Sequence, residues 1–134
     1  MDRENGVVTH PKFRMWLRPD GVVQVVWAPQ TTVLLEDATA ALEAMAQLTG
    51  GRRSPLLVDM HNMGPLDRPT RAELTRRSDL QTAVGLIVGT PLSRIVGNVF
   101  LTISKPSFPV RLFDNEAPAV AWLKGFVGKR PPLN

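Results

Sequence analysis

From Phe13 onward the chain alternates apolar stretches of strand length with stretches of helical period. Lys12-Phe13-Arg14-Met15-Trp16-Leu17-Arg18 alternates strictly, so Phe13, Met15 and Leu17 share one face of a strand. Pro19-Asp20-Gly21 is a turn signal, and Val22 to Trp27 supplies a second strand. The two read as a hairpin. Its first strand reads as an edge, with Lys12, Arg14 and Arg18 discouraging edge-to-edge pairing. From about Leu35 to Thr49 the period becomes helical, with Leu35, Ala38, Leu42, Met45 and Ala46 on one stripe. Gly50-Gly51 ends that helix, because glycine accepts the left-handed cap conformation.

Pro55-Leu56-Leu57-Val58-Asp59-Met60 is nearly continuous and apolar, as a parallel strand covered on both faces should be. Asp67 caps the next helix, Pro69 sits in its first turn, and the helix runs to about Asp79. Ala83 to Gly89 is another buried strand. Pro91 opens a helix whose Leu92, Ile95, Val96, Val99, Phe100 and Ile103 form one wide apolar face, stopped by Pro106 and Pro109. Pro109 to Phe113 is the last strand, and Asp114 or Asn115 caps a final helix with Val120, Leu123, Phe126 and Val127. The order β-β-α-β-α-β-α-β-α predicts an α/β domain, an N-terminal hairpin plus largely parallel strands with helices packed in layers. Residues 1–134 read as a single domain, with 1–11 and 128–134 loosely ordered.

Composition narrows the class. Apolar residues make up 43% and charged residues 21%, which argues against global disorder. No apolar run approaches the roughly 18 residues that cross a bilayer. The polar N-terminus has no apolar core of a secretory signal, and there is no cysteine for a disulfide or thiolate ligand. The expectation is a cytoplasmic protein with no membrane span. The net charge is +4, and six of the sixteen basic residues lie between Arg52 and Arg77. Arg68, Arg71, Arg76 and Arg77 share one predicted helix, which suits an acidic partner or simply a solvated face. Aromatics that would stack on bases are few, which argues against nucleic acid as the partner.

The candidate chemistry is sparse. Asp59, His61 and Asn62 lie where a parallel strand ends, the place where open α/β sheets collect ligands. With Thr70 and Arg71 at the start of the next helix they outline a small ligand or anion site, or else a loop whose Asp59 accepts amides. Arg94 and Asn98, four apart, share a polar stripe that faces a partner or solvent. Trp16 lies on the polar side of the first strand and marks a candidate interface, or else packs under the chain termini. His10 and His61 make no metal set without further ligands. No Gly-x-Ser-x-Gly elbow, phosphate-binding glycine loop or paired catalytic carboxylates are present. No catalytic residue, metal or cofactor is therefore expected.

The element order resembles that of the STAS domain, the fold of bacterial anti-sigma-factor antagonists and of the cytoplasmic tails of sulfate transporters. Gly89-Thr90-Pro91-Leu92-Ser93-Arg94-Ile95-Val96-Gly97-Asn98, followed by Pro109-Val110-Arg111-Leu112-Phe113-Asp114-Asn115-Glu116-Ala117-Pro118-Ala119-Val120-Ala121-Trp122-Leu123, resembles actinobacterial STAS/SEC14-like domains of unknown role. In the antagonists a serine within an Asp-Ser-Ser-Gly segment is phosphorylated by a partner kinase. Here Asp67 matches the aspartate, Arg68 and Pro69 fall on the serine positions, and Thr70 falls on the glycine. The resemblance thus implies a STAS-like interaction or regulatory module without that phospho-switch, non-enzymatic and homodimeric. The rival expectation is a SEC14-like binder of a small lipid or anion.

Overall fold

The computed structural model describes residues 2–60, 63–77 and 79–128. One seven-stranded sheet runs in chain order: β1 (Asp2–Glu4), β2 (Val7–His10), β3 (Phe13–Leu17), β4 (Val23–Trp27), β5 (Ser54–Asp59), β6 (Gln81–Ile87) and β7 (Val110–Phe113). Strands β1 to β4 pair antiparallel, and β4 to β7 pair parallel. Four α-helices follow β4, β5, β6 and β7: α1 (Leu35–Thr49), α2 (Arg68–Arg76), α3 (Pro91–Val99) and α4 (Glu116–Lys124). The chain is a mixed α/β fold, with the strand–helix alternation from Phe13 onward as the hydrophobic pattern predicts.

The first ten residues differ from expectation. In place of a loose lead-in, β1 and β2 form a hairpin joined at Asn5-Gly6, with φ of 53° and 77°. Asn-Gly is the pair that adopts positive φ at both centres of a tight hairpin turn. Strand β3 is consequently an interior strand, paired to β2 on one side and β4 on the other, and the edge role passes to β1. The expectation for residues 129–134 lies outside the described residues.

Each parallel step moves one strand in the same direction, and right-handed crossovers then keep the connecting helices on one face. The major core lies there: Met15, Val25, Val58 and Leu86 from the sheet meet Leu42 and Met45 of α1 and Val96 of α3. On the opposite face Leu57, Ala83 and Ile87 pack under Ala119, Val120 and Leu123 of α4. Gly85 of β6 lets α4 lie this close, since a Cβ there would come within 3.2 Å of Leu123 Cδ1. Trp27 is buried in the major core, and Trp122 is held between Phe113 and Phe126.

The start of α1 is tied to the hairpin end of the sheet. Asp37, largely buried, accepts from the Leu34 amide at 2.8 Å and from Lys12 Nζ at 2.6 Å. His10 Nε2 stands 3.8 Å from the same carboxylate, with its ring stacked on Phe13.

Candidate docking surface

The α3 segment begins with a complete cap. Thr90 Oγ1 accepts from the Ser93 amide at 3.1 Å, Ser93 Oγ accepts from the Thr90 amide at 3.2 Å, and Pro91 takes the first helical position. Gly97 lets the helix approach the sheet, where a Cβ would stand 2.8 Å from Leu112 Cδ2. After Val99 the helix widens into a π-turn, Phe100–Ser104, which ends at Lys105 in the left-handed conformation. The apolar face read from the sequence is thereby divided. Val96 and Phe100 are buried. Leu92, Ile95, Val99 and Ile103 point outward, 51%, 60%, 38% and 61% exposed.

That division follows from geometry. Apolar positions at 92, 95, 96, 99, 100 and 103 span an arc of about 140° at the helical period, and a helix lying on a sheet buries only the side that meets it. Four large apolar side chains therefore line up in water, spaced so that consecutive turns stack. Isolated exposed leucines need no account, but an aligned row marks a contact surface. Beside the row lies a groove of about 160 Å³ between α3 and the entry to α2, walled by Pro65, Leu66, Arg71, Leu92, Ile95 and Val99.

The charge around it is mixed, with Asp114 on Arg94 and Asp67 beside Arg71. From Gln81 to Phe113 the chain has Arg94, Lys105 and Arg111 and no aspartate or glutamate. Arg111 lies on the α4 face of the sheet, away from the groove, over Phe113 and Trp122, its guanidinium carbon 5.4 Å from the Trp122 ring centroid. Arg94 pairs with Asp114. Arg71 donates to the Leu66 carbonyl at 2.6 Å, which fixes its guanidinium at the groove wall. Among the described residues no carboxylate stands within ion-pair distance of Arg71 or Lys105. Asp67 is occupied at the start of α2, accepting from the Thr70 amide at 2.9 Å.

The sequence-predicted positions scatter over this landscape. Arg71 stands in the groove wall, and Arg94 and Asn98 are exposed on α3. Thr70 is fully buried beside the Asp67 carboxylate, so it belongs to the packing of α2 and not to a surface site. Asp59 ends β5, in register with Val26 and Ile87. His61 and Asn62 lie outside the described residues. Trp16 is half-buried in a row with Val7 and Gln24, on the sheet face opposite α1. Helix α4 covers that face at β5 to β7 and leaves the β2–β3 part of it open.

The outward row on α3 was not singled out from the sequence, although every one of its residues was placed on the apolar face. Also unforeseen is an apolar cavity of about 90 Å³ inside the major core, beneath α1 and α3. Among the described residues its one polar lining residue is Gln81, 2% exposed, whose Oε1 has no hydrogen-bond partner among them. Among the described residues no cluster of histidine and carboxylate ligands is placed to hold a metal, and no helix is long and apolar enough to cross a membrane.

A family model described as a domain of unknown function, DUF7793, matches residues 15–127. This chain belongs to that family. The DUF7793 match starts within β3, so the Asn5-Gly6 hairpin precedes it, whereas the docking row, its groove and the cavity all fall inside it. A crystal structure at 2.20 Å of a protein with unknown function from Arthrobacter sp. FB24 is 30% identical, covering 81% of this chain and 96% of its own, with a TM-score of 0.33. No curated protein matches the chain.

Proposed function

We propose that this DUF7793 domain is a non-enzymatic interaction module of STAS-like topology, working in the cytoplasm. The observation that carries the reading is the row Leu92, Ile95, Val99 and Ile103, four large apolar side chains turned to solvent along one helix. Their exposure is unfavourable for an isolated domain, at about 25 cal/mol per Å² of apolar surface, and a partner removes that cost. The strand–helix order from β3 onward and the sequential parallel half of the sheet support the STAS-like topology. The reading includes a homodimer, for which the open sheet face around Trp16 is the available surface. Native mass spectrometry at low and moderate salt tests it. A dimer that Trp16→Ala splits supports the reading, whereas a folded monomer that engages no partner through α3 overturns it.

A second reading has one specific observation in its favour. Among the described residues the core cavity is lined by apolar side chains apart from Gln81, whose side-chain oxygen lacks a donor. A small apolar molecule bearing one hydroxyl would fill the space and satisfy that oxygen. At about 90 Å³ the space is smaller than the ~150 Å³ cavity known to admit benzene, so a whole lipid does not fit. A reproducible adduct in the same native mass spectra, lost in Gln81→Leu, would favour this reading over the first.

A further inference from the structure

We infer that the groove between α2 and α3 is the mouth of the core cavity, and that a small neutral alcohol or phenol enters through it. The inference rests on the ligand-binding reading of the cavity and adds the route and the limits on the ligand. Three observations carry it.

The first is continuity. Leu66, Val96 and Phe100 stand in the wall of the surface groove and also in the wall of the cavity. A single layer of three apolar side chains therefore separates the two spaces. None of the three carries a polar side-chain group, so turning them aside breaks no side-chain hydrogen bond. Phe100 is also the first residue of the π-turn, and such widened turns interrupt the regular helical ladder at functional positions.

The second is the lining. Met15, Met45, Met60 and Met63 all border the cavity, and the sequence has only one other methionine, Met1. Methionine is unbranched, with rotatable bonds around a polarisable sulfur, and it repacks around occupants that stiffer side chains refuse. A cavity of about 90 Å³ walled in this way widens by side-chain rotation toward the ~150 Å³ that holds one aromatic ring.

The third is the polar partner. Gln81 is 2% exposed, and its Oε1 lacks a donor among the described residues. A trapped water needs roughly two to four polar partners, more than this lining supplies from side chains. A hydroxyl on an apolar body needs only one, and the rest of the molecule meets apolar walls. No charged residue is among the described lining, so a carboxylate or an ammonium would be buried unpaired. The site thus selects a neutral ligand.

The test uses the full chain, isotopically labelled at its methionine methyl groups and observed by NMR, with phenol and its apolar match toluene as probes. Phenol should shift the Met15, Met45, Met60 and Met63 signals saturably. Gln81→Leu should weaken phenol at least ~10-fold and leave toluene no weaker, with Gln81→Met as a second variant of similar length. Circular dichroism confirms that each variant is folded. Leu66→Ala thins the layer between groove and cavity, and Phe100→Leu does so from the other side. Either should speed phenol release at least ~10-fold, read from exchange broadening of the same signals. Leu74→Ala, in the cavity wall but not in the groove, should leave the release rate near that of the unaltered chain. If phenol moves none of the four signals, the ligand reading and the inference fall together. If it moves them but weakens no more than toluene in the Gln81 variants, the hydroxyl class is wrong. If phenol binds and release is unchanged in both partition variants, or rises equally in Leu74→Ala, the ligand reading stands and the groove is not the mouth.

Discussion

Lys12 and Asp37, twenty-five positions apart, meet at 2.6 Å and fasten the first helix to the antiparallel end of the sheet. Burial opposes ionisation of Asp37, but the Lys12 ammonium, the Leu34 amide and the nearby His10 together hold its carboxyl below the ordinary aspartate range. A carboxyl with a lowered folded-state pKa adds stability at pH values above its unfolded pKa, near 4, and loses it as pH falls through the folded value. Asp37→Asn should therefore cost about 1–2 kcal/mol at neutral pH. It should also flatten the acid limb of the stability curve. Urea unfolding of both proteins between neutral and strongly acidic pH measures the two effects together.

The turn before β4 depends on Gly21, whose φ is 89°. Its Hα side is roofed by Val127, and a Cβ at position 21 would stand 2.7 Å from Val127 Cγ1. Gly21→Ala meets both the left-handed backbone penalty and this contact, and should destabilise by about 1–2 kcal/mol. Trimming the roof in the double variant with Val127→Ala should recover only the contact part. A double-mutant cycle by thermal unfolding resolves the two contributions.

Adjacent positions on α3 should respond in opposite ways. Ile95 is 60% exposed and Val96 is 6% exposed. Ile95→Ser should change unfolding free energy by less than about 0.5 kcal/mol, because serine and isoleucine have similar helix propensities and little burial is lost. Val96→Ser should cost about 2–3 kcal/mol, from lost packing and a hydroxyl placed in the apolar core. Denaturant titration of the pair would show whether the outward row is free of folding duties, as a docking surface requires.

Gln81 offers the reverse experiment. Its Oε1 is buried without a donor among the described residues, and the residue lines an apolar cavity. Gln81→Met keeps the length of the side chain and removes the unpaired acceptor. Such a replacement is neutral to stabilising, here by up to about 1 kcal/mol. A rise in melting temperature would support an acceptor left empty in the free protein. A fall would mean that the carbonyl is satisfied in solution, by water or by a bound molecule.

Much of the architecture was legible because local chemistry and global packing agree. Gly50 takes φ of 65° behind α1, and Asp67 caps α2 through the Thr70 amide, both as read from the sequence. The continuous apolar run at β5 did mark a strand covered on both faces, with Leu57 turned to α4 and Val58 to the major core. The first hairpin was obscured by its polarity, since Asp2, Arg3 and Glu4 carry no apolar alternation. The signal that would have found it is Asn5-Gly6 itself. The docking row was hidden for another reason. Periodicity reports which residues share a helix face, but the width of the apolar arc does not say how much of it the sheet will cover. Only the position of α3 above β6 and β7 separates Val96 and Phe100 from Leu92, Ile95, Val99 and Ile103. The buried ring of contacts around Asp37 was similarly invisible, because acidic residues at a helix start read first as partners of the helix dipole.

Because the strands lie across the sheet in the order in which they occur along the chain, each one pairs with a neighbour that has already been synthesised. Nothing has to thread between strands formed earlier. As the chain leaves the ribosome, the meander of β1 to β4 can close first, and each later strand–helix unit can add to a growing edge. Pairing of sequence neighbours also keeps the loops to be closed short, which favours rapid folding for a sheet that is half parallel. The last helix then reaches back across β5, β6 and β7 and locks three separately added strands at once.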